Sequence, residues 1–249
     1  MSKYNLVVIT LANKKHREVS RSVSHVGAHF LEREGLRAIA GQEQQESEEQ
    51  GVALQGSLGH SLRVVSVNVD GLGNSYRPLR PPDRMKAILK AVLVQRSTVI
   101  LLQEVIDSMH RVLLHVLDPL GWVVKKRRCT SEAYFVVSAA SVLAPESLVW
   151  KSSSFPTSQN GRHYLTLRGG PWAIVNVHLE SGSAAVLRDE RNTQIQHLSR
   201  KHELSHAEAY VIAGDWNMRE GEEHCMHTEG WRDAWLDAPT HCAVPQKEW

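Results

Sequence analysis

The amino-acid sequence predicts an α/β domain of layered type, two sheets with helices outside them, preceded by a short N-terminal extension. Three observations carry that expectation. From residue 62 onward, valine-rich runs alternate with segments whose apolar residues recur every three to four positions, the signatures of buried strands and amphipathic helices. Beyond residue 121 the pattern is mainly strand-like, which calls for more than one sheet. Hydrophobic residues make up 42% and charged residues 22% of 249, a balance that permits a buried core and excludes a disordered, collagen-like or coiled-coil chain.

Residues 1–61 form the extension. Tyr4–Leu11 reads as a strand, and Val19, Val23, Val26, Phe30 and Leu31 recur at a spacing that predicts one helix. Gln42–Gly51 holds no apolar residue, so it cannot bury surface and reads as a solvated linker. A boundary near residue 60 leaves 62–249 as the main domain. There, Leu62–Val69 is the first strand, with valines at 64, 65, 67 and 69. Pro81 and Pro82 open a helix carrying Met85, Ile88, Leu89, Val92 and Leu93, since proline is tolerated in a first helical turn. Thr98–Leu102 is a second buried strand. Asp107–Leu117 is a second helix, closed by Pro119 and Gly121. Strands are then expected at Trp122–Lys126, Ala133–Val137, Tyr164–Leu167 and Trp172–His178, a surface helix at Asp189–Leu204, and a last strand at Ala209–Ala213.

Charge and cysteine content narrow the class. Lys plus Arg (29) against Asp plus Glu (27) leaves +2, too little for nucleic-acid binding driven by bulk charge, so any anion site is local. Cys129, Cys225 and Cys242 are an odd, sparse set, read as thiols in a reducing compartment, nucleus or cytoplasm. Leu6–Ala12, the longest early apolar run, is far short of the roughly 20 residues of a spanning helix, and no membrane association is expected. The basic residues of 14–37 suggest a transit peptide only weakly, because Glu18, Glu32 and Glu34 interrupt them.

Polar residues gather where strands end, the place where a sheet holds functional groups rigidly. Asn68 and Asp70 follow the first strand, Glu104 the second, His178 and Glu180 a later one, and Asp215 and Asn217 the last. Carboxylates, carboxamides and one imidazole suit a hard cation such as Mg²⁺ and the orientation of a phosphate and a water. Singly, each residue is equally well a turn or surface residue.

In combination they are more informative. Val-Asn-Val-Asp-Gly-Leu (67–72), Leu-Leu-Gln-Glu-Val (101–105), Asn-Val-His-Leu-Glu-Ser (176–181) and Gly-Asp-Trp-Asn-Met-Arg (214–219) follow one another in this order. The set resembles the endonuclease/exonuclease/phosphatase superfamily. Glu190-Arg191-x-x-Gln194, Asn217-x-Arg219, Asp233-Ala234-Trp235 and His241-Cys242 make it most similar to the type 2 tyrosyl-DNA phosphodiesterases, over about residues 62–242.

The resemblance implies a four-layer α/β/β/α sandwich that hydrolyses a phosphodiester with Mg²⁺, or Mn²⁺, and removes tyrosyl adducts left by topoisomerases from DNA 5′ ends, the DNA being single-stranded. By motif, Glu104 is the metal ligand and Asp215 orients or deprotonates the attacking water. Asn217 and Asn68 hold the water, the metal shell or the phosphate. His178 and Ser181 donate hydrogen bonds to phosphate oxygens, Arg219 contacts the DNA phosphate, and Asp70 supports the Asn68 turn. Val67 stands where the family usually has Trp. The chain ends at Trp249, before the family's terminal Ser-Asp-His strands, so a C-terminally incomplete sandwich with weakened or absent catalysis is expected, and Trp249 corresponds loosely to a DNA-stacking tryptophan. Two other functions stay open: a different hydrolase of the superfamily, such as an apurinic endonuclease, RNA exonuclease or phosphoinositide phosphatase, and a non-catalytic nucleic-acid-binding relic. Lys125–Arg128 reads as a phosphate-binding run, a nuclear import signal or a solvated hairpin. His224, Cys225, His227, His241 and Cys242 lack the ligand gaps zinc favours. Residues 1–40 offer a docking segment for a protein partner that the sequence does not name.

Overall fold

In the computed structural model of the chain, residues 6–11, 19–24, 62–72, 79–128, 133–141, 148–169, 172–200, 209–219 and 222 are described. Ten strands and three α-helices lie among them. In chain order they are β1 (Leu6–Leu11), β2 (Val19–Ser24), β3 (Leu62–Asn68), α1 (Pro81–Val94), β4 (Val99–Val105) and α2 (Asp107–Leu117), which runs into a 3-10 turn at Asp118–Leu120. Then follow β5 (Val123–Arg128), β6 (Phe135–Ala140), β7 (Val149–Ser154), β8 (His163–Gly169), β9 (Trp172–His178), α3 (Ala185–Ser199) and β10 (Ala209–Asp215). No described helix is long and apolar enough to cross a membrane.

The strands form two sheets, of order β2-β1-β3-β4-β6-β5 and β10-β9-β8-β7. Alternation along each strand sorts its side chains into layers. Val65 and Val67 of β3 and Ile100 and Leu102 of β4 face Met85, Leu89 and Val92 of α1 and Met109 and Leu113 of α2. The alternate residues Val64, Val99 and Leu101 face Leu167, Ile174 and Ala213 of the second sheet. That sheet turns Tyr164, Val175 and Val177 to Ile195 and Leu198 of α3. The order helix, sheet, sheet, helix is the expected four-layer sandwich. Between the sheets, Asn176 is fully buried. Its Nδ2 donates to Val137 O (2.8 Å) and its Oδ1 accepts from Gln103 Nε2 (2.7 Å), bonds that make a central carboxamide tolerable.

Four expectations need correction. Val19–Ser24 is a strand, not the start of a helix: its apolar spacing of four fits either period, and pairing with β1 from Leu6↔Ser24 to Leu11↔Val19 selects the extended form. β1 in turn pairs antiparallel with β3. Residues 25–61, with the rest of the expected helix and the Gln/Glu linker, lie outside the described residues. β7 was not foreseen, because only Val149 and Trp150 in it are apolar and it sits at a sheet edge. α3 begins at Ala185 rather than Asp189 and is described to Ser199, with residues 201–204 outside the described set. β4, β5, β6, β8 and β10 each end two to three residues beyond the expected positions. The three cysteines, His224, His227, His241 and Trp249 also lie outside the described residues.

Candidate active site

The parallel pairs β3–β4 and β9–β10 run to the same end of the sandwich, and four polar side chains meet there. Asn68 ends β3, Glu104 stands one residue from the end of β4, and His178 and Asp215 end β9 and β10 in direct register. Local backbone departs from regular strand at this point. The β4–β6 register shifts between Leu102 and Val105, and Glu104 has φ 58°; a bulge of this kind re-aims a side chain at a strand end. Asp70 and Asn217 also have positive φ, at 50° and 51°, a conformation that Asn and Asp adopt more readily than other L residues. Gly71 passes so close to β4 that a Cβ on it would lie 2.0 Å from Glu104 O, to which its own N–H donates at 3.1 Å. Glycine is needed there to let the turn after β3 lie against the Glu104 bulge.

One carboxamide links the two carboxylates. Asn68 Nδ2 donates to Glu104 Oε1 (3.0 Å) and to Asp215 Oδ2 (2.7 Å), while its Oδ1 accepts the Asp70 N–H (2.8 Å). Arg84, buried under the turn, donates from Nε to Val69 O (3.1 Å) and from Nη2 to Asp70 O. Asp215 Oδ1 accepts the Asn217 N–H (2.9 Å), and Asn217 Nδ2 donates to Leu179 O (3.0 Å). His178 Nε2 lies 3.7 Å from Asp215 and 4.0 Å from Glu104. Behind it, Arg162 Nη1 approaches both ring nitrogens, at 3.2 and 3.3 Å, and Arg162 Nη2 donates to Ser181 Oγ (2.9 Å). The Tyr134 ring packs on both, 5.3 Å from the imidazole and 5.6 Å from the guanidinium carbon. Its hydroxyl is buried without a hydrogen-bond partner among the described residues.

Burial sets the protonation of these groups. It pushes the Glu104 carboxyl up, opposed by the Asn68 hydrogen bond and assisted by Asp70 and Asp215. His178 is pushed down to about 3, first by burial and then by the Arg162 charge, so it is a neutral imidazole and its contacts with the two carboxylates are not ion pairs. Glu104, His178 and Asp215 offer ligand atoms within 4.8 Å of one another. Two carboxylates crowded around one amide, one of them short of countercharge, fit a hard divalent cation; Mg²⁺ takes only one or two protein carboxylates and keeps several waters.

Sequence reasoning missed Arg162 and Tyr134. Arg162 precedes an apolar run at the entry to β8 and is only 2% exposed; a charge in such a place was the one available signal. Ser181 joins the cluster through Arg162, whereas Arg219 is exposed and makes no described contact with it. Glu180 points elsewhere: fully buried, it accepts hydrogen bonds from Ser158 Oγ (2.8 Å), Asn160 N (3.1 Å) and Gln194 Nε2 (3.3 Å), pinning the β7–β8 loop to α3.

The model of the endonuclease/exonuclease/phosphatase family matches residues 65–242. The chain belongs to this family. The endonuclease/exonuclease/phosphatase fold is also seen in solved structures. D. rerio TDP2 complexed with single strand DNA product is 23% identical, with a TM-score of 0.52 over 68% of this chain and 65% of that one. TDP2 from C. elegans is 19% identical, with a TM-score of 0.55 over 80% and 70%. The human Nocturnin catalytic domain with bound sulfate is 19% identical, with a TM-score of 0.53 over 67% and 68%. Among curated protein sequences none matches. Endonuclease/exonuclease/phosphatase proteins are hydrolases of phosphate esters that generally use divalent metals, and this chain's cluster stands at the strand ends where its two sheets meet.

Proposed function

We propose that the chain is a Mg²⁺-dependent phosphodiesterase that removes tyrosyl adducts from single-stranded DNA 5′ ends, the lesion a trapped topoisomerase leaves. One observation carries the reading: Asn68, Glu104, His178 and Asp215 converge from four strands within hydrogen-bonding reach of one point, with the buried Arg162 charge behind them. The fold shared with TDP2 complexed with single strand DNA product supports the choice of substrate. A bound Mg²⁺, or Mn²⁺, would neutralise phosphate charge as a Lewis acid. Glu104 would hold the ion. Asp215, fixed by Asn68 on one oxygen and by the Asn217 N–H on the other, orients a water and takes its proton as the water oxygen bonds to phosphorus and the tyrosyl oxygen leaves. Neutral His178 and Ser181 donate to phosphate oxygens, and Arg219 contacts the DNA backbone. Residues 62–249 act as the catalytic domain and 1–61 as its extension, in the nucleus or cytoplasm.

The test is tyrosine release from a 5′-tyrosyl single-stranded oligonucleotide by wild type and Glu104→Gln, with Mg²⁺ and with EDTA. Release that needs the metal and is lost in the variant is expected. A folded wild type that releases nothing overturns the reading. A second reading, another phosphoester hydrolase of the family, is favoured by the equal overlap with the Nocturnin domain; turnover of RNA or nucleotide substrates in place of the tyrosyl one would select it.

A further inference from the structure

The strand β5 ends the six-stranded sheet, and its Lys125, Lys126, Arg127 and Arg128 are all exposed. Alternation puts Lys125 and Arg127 on the face toward the second sheet and Lys126 and Arg128 on the face toward α2. Lys126 is engaged: its amine sits 4.2 Å over the Phe135 ring and 3.4 Å from His110 Nδ1. The other three have no carboxylate partner among the described residues. Arg127 leans toward β8, where its charge adds to burial in pushing His163 down. The run also has a direction. Arg128 pairs with Phe135, the neighbour of Tyr134, whose ring lies 5.3 Å from His178. Across the ladder Phe135 pairs in turn with Val105, the neighbour of Glu104, so the cationic strand ends at the same end of the sheet as the cluster.

We propose that the β5 edge is a phosphate-binding track for single-stranded nucleic acid, on which Lys125, Arg127 and Arg128 hold the strand that leaves the active site. The inference rests on reading that site as a nucleic-acid phosphodiesterase and adds where the rest of the substrate runs. Lys125 and Arg127, on one face of the strand, are about 7 Å apart, close to the separation of successive phosphates in an extended single strand. Lysine on an open edge also blocks edge-to-edge association. Edge protection alone does not account for three cations without a carboxylate partner among the described residues, on a strand that ends at the sheet end carrying the cluster.

The experiment measures binding of an unmodified thymidine oligonucleotide to the full chain by fluorescence anisotropy across a salt series, so it requires no turnover. Each single-strand phosphate contact contributes a slope of about 0.7 in log K against log salt, so Lys125→Gln/Arg127→Gln/Arg128→Gln should lower the slope by about 2 and weaken binding at least ~10-fold at low salt. Lys86→Gln/Lys90→Gln/Arg188→Gln removes the same charge from α1 and α3 and should leave the slope near the wild-type value. Equal slopes in the two triple variants overturn the track. So does wild-type binding without salt dependence, or a β5 variant that only self-associates. Loss of binding in the β5 variant from a wild type that releases no tyrosine keeps the track and removes the tyrosyl reading; release with unaltered binding in the variant does the reverse.

Discussion

The ion pair between Arg191 and Glu222 gives a prediction with a defined size. Arg191 of α3 is 1% exposed and Glu222 8%. The fork is bidentate, Nε to Oε2 at 2.9 Å and Nη2 to Oε1 at 2.7 Å, while Nη1 donates to Glu180 O (3.1 Å) and Gly182 O (2.9 Å). Glu222→Gln keeps the volume and one acceptor oxygen but leaves a buried cation facing an amide. Breaking a buried pair costs about 3–5 kcal/mol, and the retained acceptor points to the lower end, about 3 kcal/mol. For a chain of this size about 2–4 °C is lost per kcal/mol, so the midpoint of thermal unfolding should fall by roughly 6–12 °C. Acid discriminates further. The Arg191 hydrogen bond holds the Glu222 carboxyl below the ordinary range, so its contribution is complete above the unfolded value of about 4.3 and fades as pH falls through the folded one. Wild type should lose stability over that acid interval more steeply than the variant. Urea titrations at neutral pH and near pH 4 measure both effects. A variant within 1 kcal/mol of wild type at neutral pH, or parallel acid profiles, would refute the argument.

Three further outcomes follow from the site. Asn68→Ala removes the amide shared by Glu104 and Asp215 and should lower kcat on the tyrosyl oligonucleotide by about 10²–10³, the usual cost of one preorganised donor; activity retained within a few-fold contradicts the shared-amide role. Gly71→Ala drives a Cβ against the Glu104 carbonyl, and because that contact is backbone, the variant should fail to give soluble protein or should melt well below wild type by circular dichroism. With Glu104 raised and His178 held neutral in the metal-free site, protons should compete with Mg²⁺ for Glu104, so the Mg²⁺ concentration needed for half-maximal activity should rise as pH falls, with no inflection near 6.5, the ordinary histidine value. An inflection there that vanishes in His178→Asn would count against a neutral imidazole.

Asn68, His178 and Asp215 were legible because each closes a strand with a plain hydrophobic pattern: Trp172–His178 coincides with its expected limits, Leu62–Asn68 stops one residue short of its expected end and Ala209–Asp215 runs two residues past it. Glu104 could be named but not aimed, since the bulge that turns it arises from pairing with β6, 30 residues away in sequence. Arg162 was hidden because its place beside His178 depends on the β7–β8 loop and on Glu180 holding Ser158, whose Oγ accepts the Arg162 N–H at 2.7 Å. β2 and β7 were lost for a different reason. Both are edge strands with few apolar residues, where pairing rather than burial decides conformation.

The buried Gln103–Asn176 bond joins β4 to β9 directly behind Glu104 and His178. Half of the cluster rides on one sheet and half on the other, so that bond works as a dowel between two plates. Sliding one plate by a fraction of an ångström would misalign Asn68 with Asp215, and the dowel resists it where no solvent can substitute. Separating the four central groups therefore means breaking that buried bond, and amide exchange at Asn176 should be among the slowest of the described residues. Any adjustment to the shape of a substrate falls to the loops around the rim.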